Sequence, residues 1–212
     1  MTADRQGAPG GRVALLQRAV DHFARHGVGD TSLRGLAEQI GTSHRMLIYH
    51  FGSREGLLAA VVDYVETAAR ATLAVQLAAA DPAADPVEQG MRFWEAITEQ
   101  ALIYGPLFFE LTSHAMQGRP HADLLRDRLV TPWVEAAAGA WVALGVPPKE
   151  ARMRARLDLA VTRGLLHDLL LTGDRKAVDA AMRHYADTVA GRGAVTHQPQ
   201  RQAARRQQGR GR

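Results

Sequence analysis

The residues best suited to recognising another molecule are crowded into one short stretch near the N-terminus: Ser32, Arg34, Thr42, Ser43, His44, Arg45, Met46, Tyr49, His50 and Arg54. The planar fork of an arginine can donate two hydrogen bonds to guanine O6 and N7, worth about 1 to 3 kcal/mol of discrimination between bases. Arg45, flanked by His44 and Met46, stands where such a fork would act, and Arg34 is a second candidate for reaching a base. Met46 suits either a thymine methyl or the seam between two helices. Tyr49, His50 and Arg54, with Thr42 and Ser43, are suited to phosphate oxygens, which fix register rather than sequence. For Tyr49 and His50 the competing reading is partial burial in a small core.

Other chemistries fit poorly. Nine histidines invite a metal site and the chain has no cysteine, so thiolate ligands and disulfides are both unavailable. His22 and His26 stand four apart on one helix, but no His-Glu-x-x-His or repeated Glu-x-x-His pattern completes a coordination shell. There is no glycine-rich phosphate loop and no nucleophile elbow. These spacings predict that the chain is not an enzyme and needs no cofactor.

The elements that would carry the cluster are helices. Apolar residues recur at three- and four-residue spacing from residue 12 to residue 190, and no alternating strand pattern interrupts them. The fold class is all-α, with about nine helices expected at residues 12–26, 32–40, 43–50, 53–80, 87–104, 106–116, 123–144, 149–171 and 174–189. Val13, Leu16, Val20 and Phe23 form the apolar stripe of the first. Thr31 is the expected cap of the second and Thr42 or Ser43 that of the third. Gly41 between them can take the left-handed turn that lets one helix stop and another start steeply. Leu33, Leu36, Ala37 and Ile40 would face inward, with Leu47, Ile48 and Phe51 packing against them. Ser53 is the expected cap of the fourth helix.

The stretch Thr31-Ser-Leu-Arg-Gly-Leu-Ala-Glu-Gln-Ile-Gly-Thr-Ser-His-Arg-Met-Leu-Ile-Tyr-His-Phe-Gly-Ser-Arg-Glu-Gly-Leu-Leu58 resembles the DNA-binding segment of the TetR family of transcription regulators. The likeness covers about residues 12 to 62 in detail. It implies a helix-turn-helix with the helix after Gly41 in the major groove, and it carries phosphate contact to Tyr49, His50, Arg54, Ser32 and Arg34. Two positions depart from the family pattern: Ile48 stands where a tyrosine is common, and Gly35 sits inside a helix at a cost of about 1 kcal/mol relative to alanine.

The resemblance also implies a homodimer, a near-palindromic DNA operator and release, as a repressor, by a small organic effector. The expected layout is a flexible arm over residues 1–11, a DNA-binding unit over 12–52, a ligand-binding and dimerisation unit over 53–190 and a disordered arginine-rich tail over 191–212. For the interface, Leu157, Val161, Leu165 and Leu169 lie at four-residue spacing, with Ala181 and Tyr185 on the final helix; the same stripes would equally pack within one subunit. For the ligand, Phe93, Trp94, Tyr104, Phe108, Phe109 and Trp133 concentrate the aromatic content of the middle helices, with His114 and His167 as polar contacts. Plain core is the alternative for each aromatic.

Charge is uneven along the chain. Residues 1–54 carry seven Arg against four acids, 55–190 carry 13 Lys or Arg against 18 acids, and 191–212 carry six Arg and no acid. Basic ends around an acidic middle suit ends that approach a polyanion. With no apolar run near the roughly 20 residues needed to cross a bilayer, a cytoplasmic protein with no membrane partner is expected. The rival reading within DNA binding is an architectural protein without ligand control, gripping broadly through its arginine tail.

Overall fold

The structure is a computed structural model and describes residues 9–29, 31–79, 81 and 83–191. Of the expected arm over 1–11 only residues 9–11 are described, and they belong to the first helix; residues 192–212 of the expected tail over 191–212 lie outside the described residues. Among them the chain is all-helical, with nine α-helices: α1 Pro9–His26, α2 Leu33–Gln39, α3 His44–Phe51, α4 Arg54–Ala78, α5 Pro86–Met116, α6 Asp123–Arg128, α7 Thr131–Ala143, α8 Pro148–Thr172 and α9 Arg175–Val189, with a 3-10 turn Pro120–Ala122 before α6.

Local chemistry explains most of the ends. Ser32, rather than Thr31, caps α2 by accepting from the Gly35 N–H at 3.2 Å, and Ser43 caps α3 by accepting from the Met46 N–H at 3.2 Å. Ser53 accepts from the Gly56 N–H at 3.0 Å at the start of α4, and Asp174 from the Ala177 N–H at 2.9 Å at the start of α9. Asp85 caps α5, with Pro86 at its first position, where a missing N–H costs nothing.

Two expected boundaries moved. The break before Pro106 is absent, and α5 runs unbroken through Gly105 and Pro106. Pro106 and Leu102, whose carbonyl loses its i+4 donor, both lie on the exposed side, where water can replace the missing bond. Gly105 faces the other way, onto α8; a Cβ there would lie 2.6 Å from Leu170 Cδ1. Conversely, the single helix expected over 123–144 divides into α6 and α7, because Pro132 occupies the first turn of a new helix and cannot continue an old one.

One buried cluster holds α1 to α6 together, running from Leu15, Leu16, Ala19, Val20 and Phe23 through Leu36, Leu47 and Phe51 to Leu57, Leu58, Val61, Leu107, Leu111 and Leu125. It crosses residues 52 and 53 without interruption. Val13 is exposed and Leu15 takes its expected place. A second cluster joins α5, α8 and α9 through Trp94, Leu169, Val178 and Met182, and a third joins α7 to α8 through Val134, Ala138, Ala151 and Ala155. Among the described residues no helix is long and apolar enough to cross a membrane.

Two glycines in the N-terminal unit face opposite constraints. A Cβ at Gly56 would fall 2.1 Å from the Phe51 carbonyl oxygen, which is backbone and cannot yield, whereas at Gly35 the nearest atom is Ser32 Oγ at 3.5 Å. Gly56→Ala is therefore expected to destabilise the fold by about 3 kcal/mol, toward the upper end for overpacking. Gly35→Ala should be neutral or stabilise it by up to about 1 kcal/mol; urea unfolding of both variants checks the pair.

Burial, then the neighbours His26 and Arg25, hold His22 below the usual histidine pKa; burial, then His114 and Arg54, do the same to His121. Both are neutral in the native protein and must be charged in acid. Their contribution is full above the unfolded value of about 6.5 and is lost as the pH falls through the lower native values. Glu66, 1% exposed and pushed up by burial against the opposing pull of Arg70 and Arg128, acts in the opposite sense, since its contribution is lost as the pH rises. The melting temperature should drop on acidification from pH 7 to 5.5, and His121→Gln should shrink that drop, which thermal unfolding across the range measures.

Candidate nucleic-acid interface and internal cavity

Helices α2 and α3 form a helix-turn-helix whose inner face is Leu33, Leu36, Ala37, Ile40, Leu47 and Phe51. Gly41 makes the turn at φ +67°, a conformation that a Cβ penalises. With Leu47 and Phe51 buried, the helical repeat turns His44, Arg45, Ile48 and Tyr49 outward, Tyr49 being 68% exposed. Ser32, Arg34 and Ser43 are exposed beside them, and Thr42 is half-buried.

One residue of α3 leaves its expected place, and another takes one of the two open to it. Ile48, expected to pack inward, is exposed, while Met46 is half-buried against the core. Ile48 thus offers an apolar contact on the open face of α3 that the sequence pattern missed. The His50 ring is half-buried and steeply inclined to the Tyr49 ring, 4.9 Å between centres, and its Nε2 is buried with no hydrogen-bond partner among the described residues. The hydroxyls of Ser32 and Ser43 accept backbone bonds as caps and keep their own protons to donate.

The unit is braced by side chains far away in sequence, none of them singled out by motif. Arg18 of α1 donates from Nη1 to the Ile40 carbonyl at 3.0 Å and the Gly41 carbonyl at 3.4 Å, stapling the turn itself. The Arg12 guanidinium lies 5.2 Å from the centre of the Phe51 ring. Glu110 of α5 accepts from the N–H of Val28 at 2.9 Å and of Gly29 at 3.2 Å. Arg54 donates from Nε to the Thr31 carbonyl at 3.0 Å and from Nη2 to the Gly29 carbonyl. Arg54 is therefore a strut of the α1–α2 connection, with two of its three nitrogens already engaged there.

Between α4, α5, α7 and α8 lies a cavity of about 220 Å³. Of the eight side chains expected to meet a ligand, Phe93, Tyr104, Phe108, Phe109 and Trp133 line it. Trp94, His114 and His167 do not. Trp94 is core, its indole N–H donating to Asp179 Oδ1 at 2.6 Å. His114 pairs with His121 at 3.0 Å, and His167 is exposed with its ring steeply inclined to that of Phe109, 5.3 Å between centres. Aromatic spacing shows that a helix has an inner face, but not whether that face meets a neighbour or a void. The polar lining comes instead from Tyr64, Gln100, Asp158, Thr162 and Arg163. Tyr64 donates its hydroxyl to Gln17 of α1, so a cavity wall is tied to the residue beside Arg18. Among the described residues no three His, Cys, Asp or Glu side chains converge on a metal-sized point.

The expected interface stripe on α8 divides. Leu169 is 2% exposed and packs on Trp94, Val178 and Met182 of its own chain, with Val161 and Leu165 half-buried against the same cluster. Leu157 is 60% exposed and Ala181 is exposed. Tyr185 donates to Asp158 Oδ1 at 2.8 Å, and burial together with that carboxylate pushes its hydroxyl pKa up. The outward face of α8 is a different set: Met153, Leu157, Ala160, Gly164 and Leu171.

Comparison with known proteins agrees with this geometry. The profile of the bacterial regulatory proteins, tetR family, matches residues 15–61, which contain the helix-turn-helix. The HTH-type transcriptional regulatory protein RaaS of Mycobacterium tuberculosis is 32% identical over 175 residues, covering 81% of this chain and 77% of its own. A TetR transcriptional regulator from Legionella pneumophila superposes with a TM-score of 0.66 at 19% identity over 89% of this chain and 99% of its own. A regulator from Saccharomonospora viridis, solved in complex with choline, does so with 0.67 at 21% identity over 87% and 97%. At those identities the two structures establish shared fold alone. The RaaS likeness spans most of both chains, and with the profile match it shows that the chain belongs to the TetR family of helix-turn-helix transcriptional regulators.

Proposed function

We propose that this regulator is a repressor that binds a near-palindromic operator as a homodimer and is released when a small organic molecule enters the cavity between α4, α5, α7 and α8. The observation that carries this reading is the pair of ties from cavity helices to the DNA-binding unit. Tyr64 reaches α1 through Gln17, and Glu110, two residues from the cavity aromatic Phe108, holds the backbone of Val28 and Gly29. A ligand that moved α4 or α5 would move the support of α2 and α3 with it. It must favour the displaced arrangement by its own differential affinity. The functional division is then 12–52 for DNA and 53–190 for ligand and pairing.

On the operator, Arg45 reads guanine, with His44 and Arg34 as further base contacts, and the half-buried Met46 and exposed Ile48 facing thymine methyl groups. Ser32, Thr42, Ser43, Tyr49 and His50 address phosphates, with Arg54 adding its one unengaged nitrogen. The exposed stripe Met153, Leu157, Ala160, Gly164 and Leu171 of α8, together with Ala181 of α9, supports pairing about a two-fold axis, small residues letting the helices approach. Two recognition helices would then lie about 34–36 Å apart, one turn of B-DNA.

Selection from a random duplex pool at moderate salt should return an inverted repeat. Arg45→Ala should lose or relax it, a drop of about tenfold or more in affinity for the selected site. Arg18→Ala, which touches no DNA in this account, should weaken binding to all sequences by loosening the turn. An unstructured set of recovered sequences would instead favour broad architectural binding. Leu157→Glu should shift the protein to monomer in sedimentation velocity and weaken operator binding, and an unchanged dimer would remove α8 from the interface.

A further inference from the structure

The two charged groups in the cavity wall are unequally satisfied. Both carboxylate oxygens of Asp158 already have donors, the Trp141 indole N–H at 2.7 Å on Oδ2 and the Tyr185 hydroxyl at 2.8 Å on Oδ1. Arg163, on the same helix and in the same wall, has one backbone acceptor, the Leu129 carbonyl, and its remaining nitrogens have no partner among the described residues. No carboxylate of those residues lies within the 4.0 Å of an ion pair. Burial alone pulls its pKa down, with no anion to offset it.

A half-buried guanidinium beside apolar walls, without a counter-charge, is a costly arrangement unless something supplies that charge. Besides the Leu129 carbonyl it has the face of the Phe108 ring, with the guanidinium carbon 5.9 Å from the ring centre. Phe108 lines the cavity too, so the cation sits against a surface a ligand would touch. Trp133, in the same wall, adds an indole N–H that is buried with no acceptor. Two donors without an acceptor, in a lining whose other polar groups are Tyr64, Gln100, Thr162 and the already engaged Asp158 and whose remainder is apolar and aromatic, suit a ligand with an acidic head and an apolar body.

We propose that the cavity binds an amphipathic organic carboxylate, its apolar body among Phe93, Tyr104 and Phe109 and its carboxylate on Arg163. This rests on the cavity being the effector site. A cationic ligand would find Asp158 with both oxygens engaged and Arg163 opposing it. The test titrates the full chain by calorimetry with three probes of matched length, octanoate, octanol and octyltrimethylammonium, each below its micelle threshold. Octanoate should bind about tenfold more tightly than octanol, the yield of a charge-assisted contact, and more tightly than the ammonium. Arg163→Met should bring octanoate down to the level of octanol while leaving octanol unchanged, and Arg163→Lys should restore part of the preference. Equal or tighter binding of the ammonium, or an octanoate affinity that Arg163→Met does not alter, overturns the carboxylate assignment. Octanol separates that failure from failure of the cavity itself: if it binds and Ala101→Phe, which fills the cavity, abolishes the binding, the site stands without the anion. If none of the three binds, both readings fall.

Discussion

The connection between α1 and α2 leaves backbone groups that no helix can satisfy, and the way they are satisfied organises the molecule. The N–H groups of Val28 and Gly29 go to the Glu110 carboxylate, and the carbonyls of Gly29 and Thr31 go to the Arg54 guanidinium. The Val28 N–H and the Thr31 carbonyl are half-buried at these bonds and must find partners, while the two groups of the exposed Gly29 extend the same pair of contacts. Because they come from α5 and α4, the connection is held by the helices that also wall the cavity. Arg18 completes the arrangement from α1 by accepting no freedom at the turn itself, where it binds the Ile40 and Gly41 carbonyls. The recognition helix is thereby positioned by charge-assisted bonds to backbone as well as by the shared apolar core.

Under the proposed function, this arrangement would let one chain be rigid enough to read DNA and still respond to a ligand. The apolar cluster from Leu15 to Leu129 runs without a seam across α1 to α6, so α2 and α3 cannot drift independently of α4 and α5. The cavity lies on the far side of those same helices, and α8 closes it with Asp158, Thr162 and Arg163. Gly105 permits that closure, since any side chain there would press on Leu170. Changes in the cavity therefore have a short mechanical route to the unit that touches DNA, through packed helices and two polar ties.

Much of the N-terminal unit was legible in the sequence because local rules act there over three or four residues. Ser43, Gly41 and Ser53 do what their types suggest, and the buried Leu36, Leu47 and Phe51 leave Arg45 outside by helical repeat alone. Errors arose where a residue had two local options. Thr31 and Ser32 were both competent caps, and Met46 and Ile48 were both able to face the core. The cavity was half legible: aromatics on α5 and α7 marked inner faces, but Trp94 met core rather than void, Leu169 of the expected interface stripe met the same core, and Arg163 entered the cavity wall only when α8 was laid beside α5. The bracing side chains were invisible for a simple reason, that Glu110 and Val28 are 82 positions apart. No spacing rule connects them. The continuity of α5 through Gly105 and Pro106 was hidden likewise, since a Gly-Pro pair reads as a stop until its exposure and its neighbour on α8 are known.

The claim on which the rest stands is that Glu110 holds the DNA-binding unit to the helical body, and amide hydrogen exchange at Val28 and Gly29 addresses it directly. In the wild-type protein both amides should exchange slowly, together with the core amides of α4. In Glu110→Ala both should lose protection while the amides of α4 and α8 keep theirs. If exchange at Val28 and Gly29 is the same in the two proteins, the carboxylate is not their partner in solution, and the route from cavity to recognition helix must be sought elsewhere.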